Sequence, residues 1–256
     1  MVISVLQSRT LFWVGLYALI CLVWGALALT TPSFDGGALF GALEPQFSGA
    51  AHGDLGLDRL SLMWALMSLG MMLPTAVPMI RTHLDLSHAR PNRALLRLGF
   101  VGGYALIWLA FALLAAFAQQ WLYQMGWVDA AGVSFRSVLT FALLLLAGAY
   151  QFSPLKQACV RECRSPMAFF MTQWRDGVSG ALLMGLRHGA ACLGCCWALM
   201  LLGFVGGTMN LAWMGLAMIL MALEKLPHIG ARVSTALGLV LLALAFAYAV
   251  AWGLNA

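Results

Sequence analysis

Long apolar stretches without charged residues recur along the chain, separated by short polar connections. A bilayer hydrocarbon core of about 30 Å takes roughly 20 apolar residues of helix, and seven stretches approach that length. They are Leu11–Thr30, Leu60–Ile80, Leu98–Ala118, Phe135–Phe152, Gly180–Phe204, Asn210–Leu223 and Val233–Trp252. The pattern predicts an all-α, polytopic membrane helix bundle of about seven transmembrane helices, forming a single transmembrane domain over residues 1–256. Because the sixth stretch is short and nearly fused to the fifth, six helices with one re-entrant piece are the structural alternative.

Composition supports a membrane protein over a soluble one. Hydrophobic residues make up 62% of the 256 residues, charged residues only 9%, and the mean hydropathy is +0.90. A soluble domain of this length does not need so much apolar surface. The lipid bilayer is therefore the first predicted partner of the chain.

The positive charges fall on one side of the predicted bundle. Cytoplasmic loops collect Lys and Arg, and with the N-terminus inside, only Arg59 and Arg136 lie on the outer side. The basic residues on the inner side are Arg9, Arg81, Arg90, Arg93, Arg97, Lys156, Arg161, Arg164, Arg175, Lys225 and Arg232, and Arg187 joins them if its side chain extends to the inner boundary. The bias predicts a cytoplasmic N-terminus, a mildly acidic external loop over residues 31–59, and a solvated Glu224–Lys225 pair. Topology explains the net charge of +5, so no nucleic-acid partner is predicted.

Residues 153–179 form an amphipathic segment that is too often charged to cross a bilayer. A helix lying on the cytoplasmic side fits, with Pro154 near its start and Pro166 breaking it. Cys159 and Cys163 are four residues apart and hence share one helix face. They are either two ligands of one metal ion or a pair of small buried apolar residues.

The fifth stretch carries an imidazole and a row of sulfurs at helical spacing. His188, Cys192, Cys195 and Cys196 stand at i, i+4, i+7 and i+8, and Met200 continues the stripe. Thiolate, thioether and imidazole donors suit a soft ion, so copper as Cu(I) is predicted first and zinc second. The alternative is that these are ordinary packing residues of a membrane helix.

A second sulfur stripe lies on the second stretch, where Met67 and Met71 are one helical turn apart. Thioethers at this spacing are predicted as supplementary copper donors, with plain packing as the alternative. Pro74 and Pro78 on the same helix are expected to kink it.

Residues along most of the chain resemble a bacterial family of uncharacterised, predicted metal-binding integral membrane proteins. The resemblance rests on an ordered series of segments: Trp64–Pro74, Tyr150–Lys156, Cys159, Cys163–Pro166, Trp174–Gly177, His188–Gly189, Cys192–Met200 and Met209–Met214. One departure is Ala191, where an aromatic residue is expected before the first cysteine. The resemblance implies a metal site in a protein of the bacterial inner membrane, without supplying an activity.

Three classes of function are compatible with these patterns. The first is a protein that binds copper and either transports Cu(I) or delivers it to a membrane or periplasmic partner. The second is a membrane-embedded copper or thiol oxidoreductase, suggested by Cys192-x-x-Cys195. The third is an accessory subunit of a larger membrane complex, assembled through small-residue faces such as Gly185-x-x-x-Gly189. The sulfur-rich helix ranks copper handling first.

Overall fold

The computed structural model describes residues 2–30, 56–88, 90, 92–129, 132–134, 136–208 and 210–253. Most of the predicted external loop, and Met209 of the family pattern, lie outside the described residues. Over the described ranges the chain forms ten helices and a single isolated bridge between Val128 and Ser134. The helices are α1 Val2–Thr30, α2 Leu57–Leu86, α3 Arg93–Gln124, α4 Ser137–Tyr150, α5 Pro154–Arg164, α6 Pro166–Gln173, α7 Gly177–Leu201, α8 Gly203–Gly206, α9 Leu211–Glu224 and α10 Gly230–Gly253.

The helix lengths agree with the predicted all-α bundle. Among the described residues five helices are long and apolar enough to cross a membrane, namely α1, α2, α3, α7 and α10. A sixth span forms if α4 and α5, which are bent by 62° relative to each other, are taken together. The predicted sixth stretch becomes α9, whose 14 residues are about 21 Å long and therefore shorter than a bilayer core.

The amphipathic segment consists of two short helices, α5 and α6. Ser153 caps α5 by accepting a hydrogen bond from the backbone N–H of Leu155, and Pro154 occupies the first turn. Pro166 begins α6, because a proline is tolerated in the first turn of a helix but not in its interior. The break expected at Pro166 is therefore present, and it leaves α5 free to pack against α7.

Helix α7 lies at the centre of the described bundle, packed against α3, α4, α5 and α9. Two glycines allow α3 and α7 to approach until their backbones touch: a Cβ on Gly103 would overlap the backbone of α7 at Leu182, and one on Gly185 would overlap the backbone of α3 at Phe100. Such small residues permit close helix contacts inside a membrane. We refer to this contact at Gly103 and Gly185 as the glycine seam. It fixes the distance between the side chains of α3 and those of α7.

A buried ion pair joins α5 to α9. The Nζ of Lys156 donates to both carboxylate oxygens of Glu224, at 3.0 and 2.8 Å, and both side chains are only 2% exposed. The Nε of Arg164 donates to the backbone oxygen of Glu224 at 2.8 Å. The expectation of a solvated Glu224–Lys225 pair is therefore wrong, because Glu224 pairs with a lysine from another helix and Lys225 is directed elsewhere.

Candidate metal centre

The polar and sulfur-bearing stripe of α7 faces the interior of the bundle. Cys192, Cys195 and Cys196 are at most 2% exposed, and His188 and Met200 are 3% and 2% exposed. The stripe is buried because α3, α5 and α9 pack against α7. Its thiols are therefore held in a desolvated environment, close to other side chains of the protein.

A fourth cysteine reaches this stripe from α5. The Sγ atoms of Cys163, Cys192 and Cys195 all lie within 4.8 Å of one another. The Sγ of Cys196 is 3.1 Å from that of Cys195. We refer to Cys163, Cys192, Cys195 and Cys196 as the thiol cluster. It brings together Cys163 and Cys192, which are 29 positions apart in the sequence.

Cys159, the other cysteine of α5, contacts α7 at Gly194. The Sγ of Cys159 lies against the backbone of Gly194, so close that a Cβ at position 194 would be 2.6 Å from it. The hydroxyl of Tyr150 donates to the backbone oxygen of the same glycine at 2.5 Å. Cys159 thus packs at the contact between α5 and α7, whereas Cys163 belongs to the thiol cluster.

Two polar groups from other parts of the chain lie beside the sulfur of Cys192. The Nζ of Lys225, at the end of α9, donates to its Sγ at 3.1 Å and to the hydroxyl of Thr75 at 2.7 Å. The hydroxyl of Tyr104 is 3.2 Å from the same sulfur and donates to the backbone oxygen of Met72 at 2.9 Å. An ammonium beside a sulfur stabilises negative charge on it, and the thiolate is the form that binds metals.

Sequence patterns did not identify Lys225 or Tyr104 as neighbours of the cysteines. For Lys225 a signal was present: the helix before it is too short to cross a bilayer, so its end can lie at depth inside the bundle. For Tyr104 no signal was present, because a tyrosine in an apolar helix has no spacing that links it to a distant cysteine.

His188 lies one turn from Cys192 but outside the thiol cluster. Its ring stacks on Tyr104 with centroids 5.3 Å apart, faces Phe100 at 6.1 Å and meets the edge of Phe169 at 5.9 Å. Both of its ring nitrogens are buried, and neither has a hydrogen-bond partner among the described residues. Of the predicted ligands it is the one that the structure surrounds with aromatic rings.

The predicted methionine donors are all buried in the core: Met67, Met71 and Met200 are each 2% exposed. The groups beside Cys192 bond to other residues of α2: Tyr104 donates to the backbone oxygen of Met72, and Lys225 donates to the hydroxyl of Thr75. Met200 lies two turns beyond Cys192 on α7. Their roles as supplementary donors stay predictions.

The chemistry of the thiol cluster fits a soft metal ion. Metal–sulfur bonds of about 2.3 Å put two sulfurs of one ion at most about 4.6 Å apart, close to the 4.8 Å limit within which the three Sγ atoms lie. Thiolate sulfur selects Cu(I) and Zn(II) over calcium or magnesium, which take oxygen ligands. The sulfurs of Cys163, Cys192 and Cys195 are therefore close enough together to bind one such ion.

Comparison with known proteins gives a family match that covers the thiol cluster. A family model described as PpoB2, a copper chaperone, matches residues 61–248, which include the thiol cluster, His188 and Lys225. No curated protein and no solved structure matches the chain. The match agrees with the metal-binding part of the resemblance drawn from the sequence.

Proposed function

Because the chain belongs to the PpoB2 copper chaperone family, we propose that it is a membrane protein that binds Cu(I) at the thiol cluster and delivers it to a partner protein. One observation carries the proposal: sulfurs from two helices, Cys163 on α5 and Cys192 and Cys195 on α7, meet within 4.8 Å in the bundle interior. Copper here is cargo, held by thiolates and passed on by exchange of ligands.

Cu(I) is the favoured ion for physical reasons. It is soft and prefers thiolate donors, which are the donors that the cluster offers. Zn(II) is the second choice, because four thiolates also suit a closed tetrahedral zinc site. A closed tetrahedral zinc site, however, retains its metal as part of the structure, whereas delivery requires the metal to be released.

We also propose that the chain resides in the bacterial inner membrane with its N-terminus in the cytoplasm. Two basic connections meet at one end of the described bundle, where Arg90, before α3, forms an ion pair with Asp176, before α7, at 2.6 Å. Positive charge concentrates on the cytoplasmic side of membrane proteins. The end of the bundle that holds Arg90 and Arg175 would therefore face the cytoplasm.

The alternatives are less well supported. A thiol oxidoreductase must meet its dithiol substrate, whereas Cys192, Cys195 and Cys196 are almost completely buried. A subunit that only assembles into a complex does not need four thiols around one lysine. Export of free Cu(I) across the bilayer would use the same cluster, and transfer to a partner protein is favoured over release of the free ion because the family is one of chaperones.

Copper titration of the purified chain tests the binding step. The reduced protein in detergent is titrated with Cu(I) under anaerobic conditions against the chromophoric chelator bicinchoninate, with Zn(II) in a parallel series. We expect about one tightly held Cu(I) per chain, lost in Cys163→Ser and in Cys192→Ser. Cys21→Ser is the matched control, because Cys21 is exposed on α1 and lies outside the family match.

The outcomes separate binding from delivery. Equal copper content in the native chain and in Cys192→Ser refutes the binding site. Delivery is followed in cells that lack the gene, by measuring the copper content of their periplasmic copper enzymes. Complementation by the native gene but not by the Cys192→Ser gene is expected. Full metallation of those enzymes without the gene refutes delivery.

A further inference from the structure

An open cleft lies at the basic end of the bundle, between the connection that precedes α3 and the connection that precedes α7. Its volume is about 170 Å³, and His83 and Met184 line it together with Trp174 and Arg175. The ion pair between Arg90 and Asp176 lies at its rim, with side chains 48% and 69% exposed. The cleft therefore joins the surroundings of the protein to two side chains that bind soft metals.

Metal-binding side chains continue from this cleft to the thiol cluster along one face of α7. Met184, His188 and Cys192 follow each other at intervals of four residues, which places each about 6 Å further along the helix. All three are buried, with 2%, 3% and 0% exposure. A thioether at the cleft, an imidazole in the middle and a thiol at the cluster thus form one continuous row.

His188 is the unusual member of the row. A buried polar atom normally has a hydrogen-bond partner, and each exception in a folded protein requires an explanation. Both nitrogens of His188 lack such a partner among the described residues, although the residue is only 3% exposed. Phe100, Tyr104 and Phe169 hold the ring through stacking and edge contacts, so its nitrogens are kept available for a ligand.

A second imidazole extends the row to the cleft. The ring of His83, on α2, stacks on Phe100 with centroids 4.6 Å apart, and Phe100 also stacks with His188 at 6.1 Å. His83 is 2% exposed and also contacts Trp174, the aromatic residue of the cleft wall, at 6.0 Å. Two helices therefore supply imidazoles that stack on the same phenylalanine.

We propose that His83, Met184 and His188 form the path along which Cu(I) enters the thiol cluster from the cleft. The inference rests on the proposed function, because the path has a purpose only if the cluster binds copper. Cu(I) moves by ligand exchange: a bond to the next donor forms as the bond to the previous one breaks, and the metal keeps its charge. Thioether and imidazole are neutral donors, so binding tightens only at the thiolates, each of which releases its proton to solvent when the metal arrives.

Loading kinetics test the path. Cu(I) is supplied as its bicinchoninate complex to the reduced full-length protein in detergent, and the loss of chelator absorbance is followed by stopped flow. His188→Phe keeps an aromatic ring of similar shape and removes the nitrogens, and Met184→Leu removes the thioether at nearly constant volume. Met63→Leu is the control, since Met63 is a buried methionine of α2 outside the lining of the cleft.

Both path variants are expected to load about tenfold more slowly and to reach the same copper content and affinity as the native chain. Met63→Leu should load at the native rate. Native loading rates in both variants overturn the path. A reduced affinity with an unchanged loading rate also overturns it, because that result makes His188 a ligand of the resident ion. If the native chain takes up no Cu(I), or Cys192→Ser retains it, the proposed function itself fails. Met184→Leu decides the matter if His188→Phe does not fold.

Discussion

The ammonium of Lys225 lies 3.1 Å from the sulfur of Cys192, although the two residues are 33 positions apart in the chain. Lys225 is the residue that caps the C-terminal end of α9, and it also donates to Thr75 of α2. Three helices therefore share one positive charge at the thiol cluster. Since thiolates bound to one Cu(I) carry more negative charge than the ion neutralises, this ammonium stabilises the loaded cluster.

Replacing Lys225 is expected to weaken copper binding. In Lys225→Met the hydrogen bond to Cys192 is lost, and hydrogen bonds to charged groups contribute about 1.5–3 kcal/mol. The affinity for Cu(I) should therefore fall by about tenfold or more, measured by competition with bicinchoninate. Arg232→Met is the matched control, because Arg232 is an exposed cation near the start of α10. Equal affinity in the two variants would show that Lys225 does not act on the cluster.

The contact between Cys159 and Gly194 predicts a compensating pair of substitutions. Gly194→Ala places a methyl group against the sulfur of Cys159, and overpacking of this kind lowers the free energy of unfolding by about 1–3 kcal/mol. Adding Cys159→Ala removes the sulfur and should restore most of the loss in thermal unfolding experiments. Cys159→Ala alone should keep the native copper content. A loss of copper in that variant would instead make Cys159 a ligand.

The Lys156–Glu224 pair predicts strong non-additivity. Lys156→Met leaves the Glu224 carboxylate buried without its partner, which costs about 3–5 kcal/mol of stability. In the double variant with Glu224→Met both charges are gone, and stability should return to near the native value. Chemical denaturation in detergent measures both changes. Additive losses in the double variant would contradict the prediction.

The spacing of His188, Cys192, Cys195 and Cys196 was sufficient to predict that they share the buried face of one helix. It was not sufficient to choose between Cys159 and Cys163, which share a helix face and differ by one turn. The choice depends on how α5 sits along α7: one turn brings a sulfur to Cys192 and Cys195, and the other brings it to the backbone of Gly194. Such an offset between two packed helices is a tertiary property that helical periodicity does not contain.

The sequence also predicted that Lys225 is solvated, since charged residues at helix ends usually lie in water. That rule assumes a helix that reaches the surface. Helix α9 has only 14 residues, so its end stays among the other helices, and the partly buried lysine donates to a sulfur and a hydroxyl. Helix length, taken together with charge, was the available clue.

The glycine seam between α3 and α7 has a consequence for metal capture. Because Gly103 and Gly185 bring the two backbones into contact, the helices cannot move closer when an ion arrives, and Tyr104 already stands beside Cys192. The position of Cys192 relative to Tyr104 is therefore fixed when the chain folds, and that part of the entropic cost of ordering the site does not recur when an ion binds. Such a preorganised receptor discriminates against ions that would need a different arrangement of donors around them.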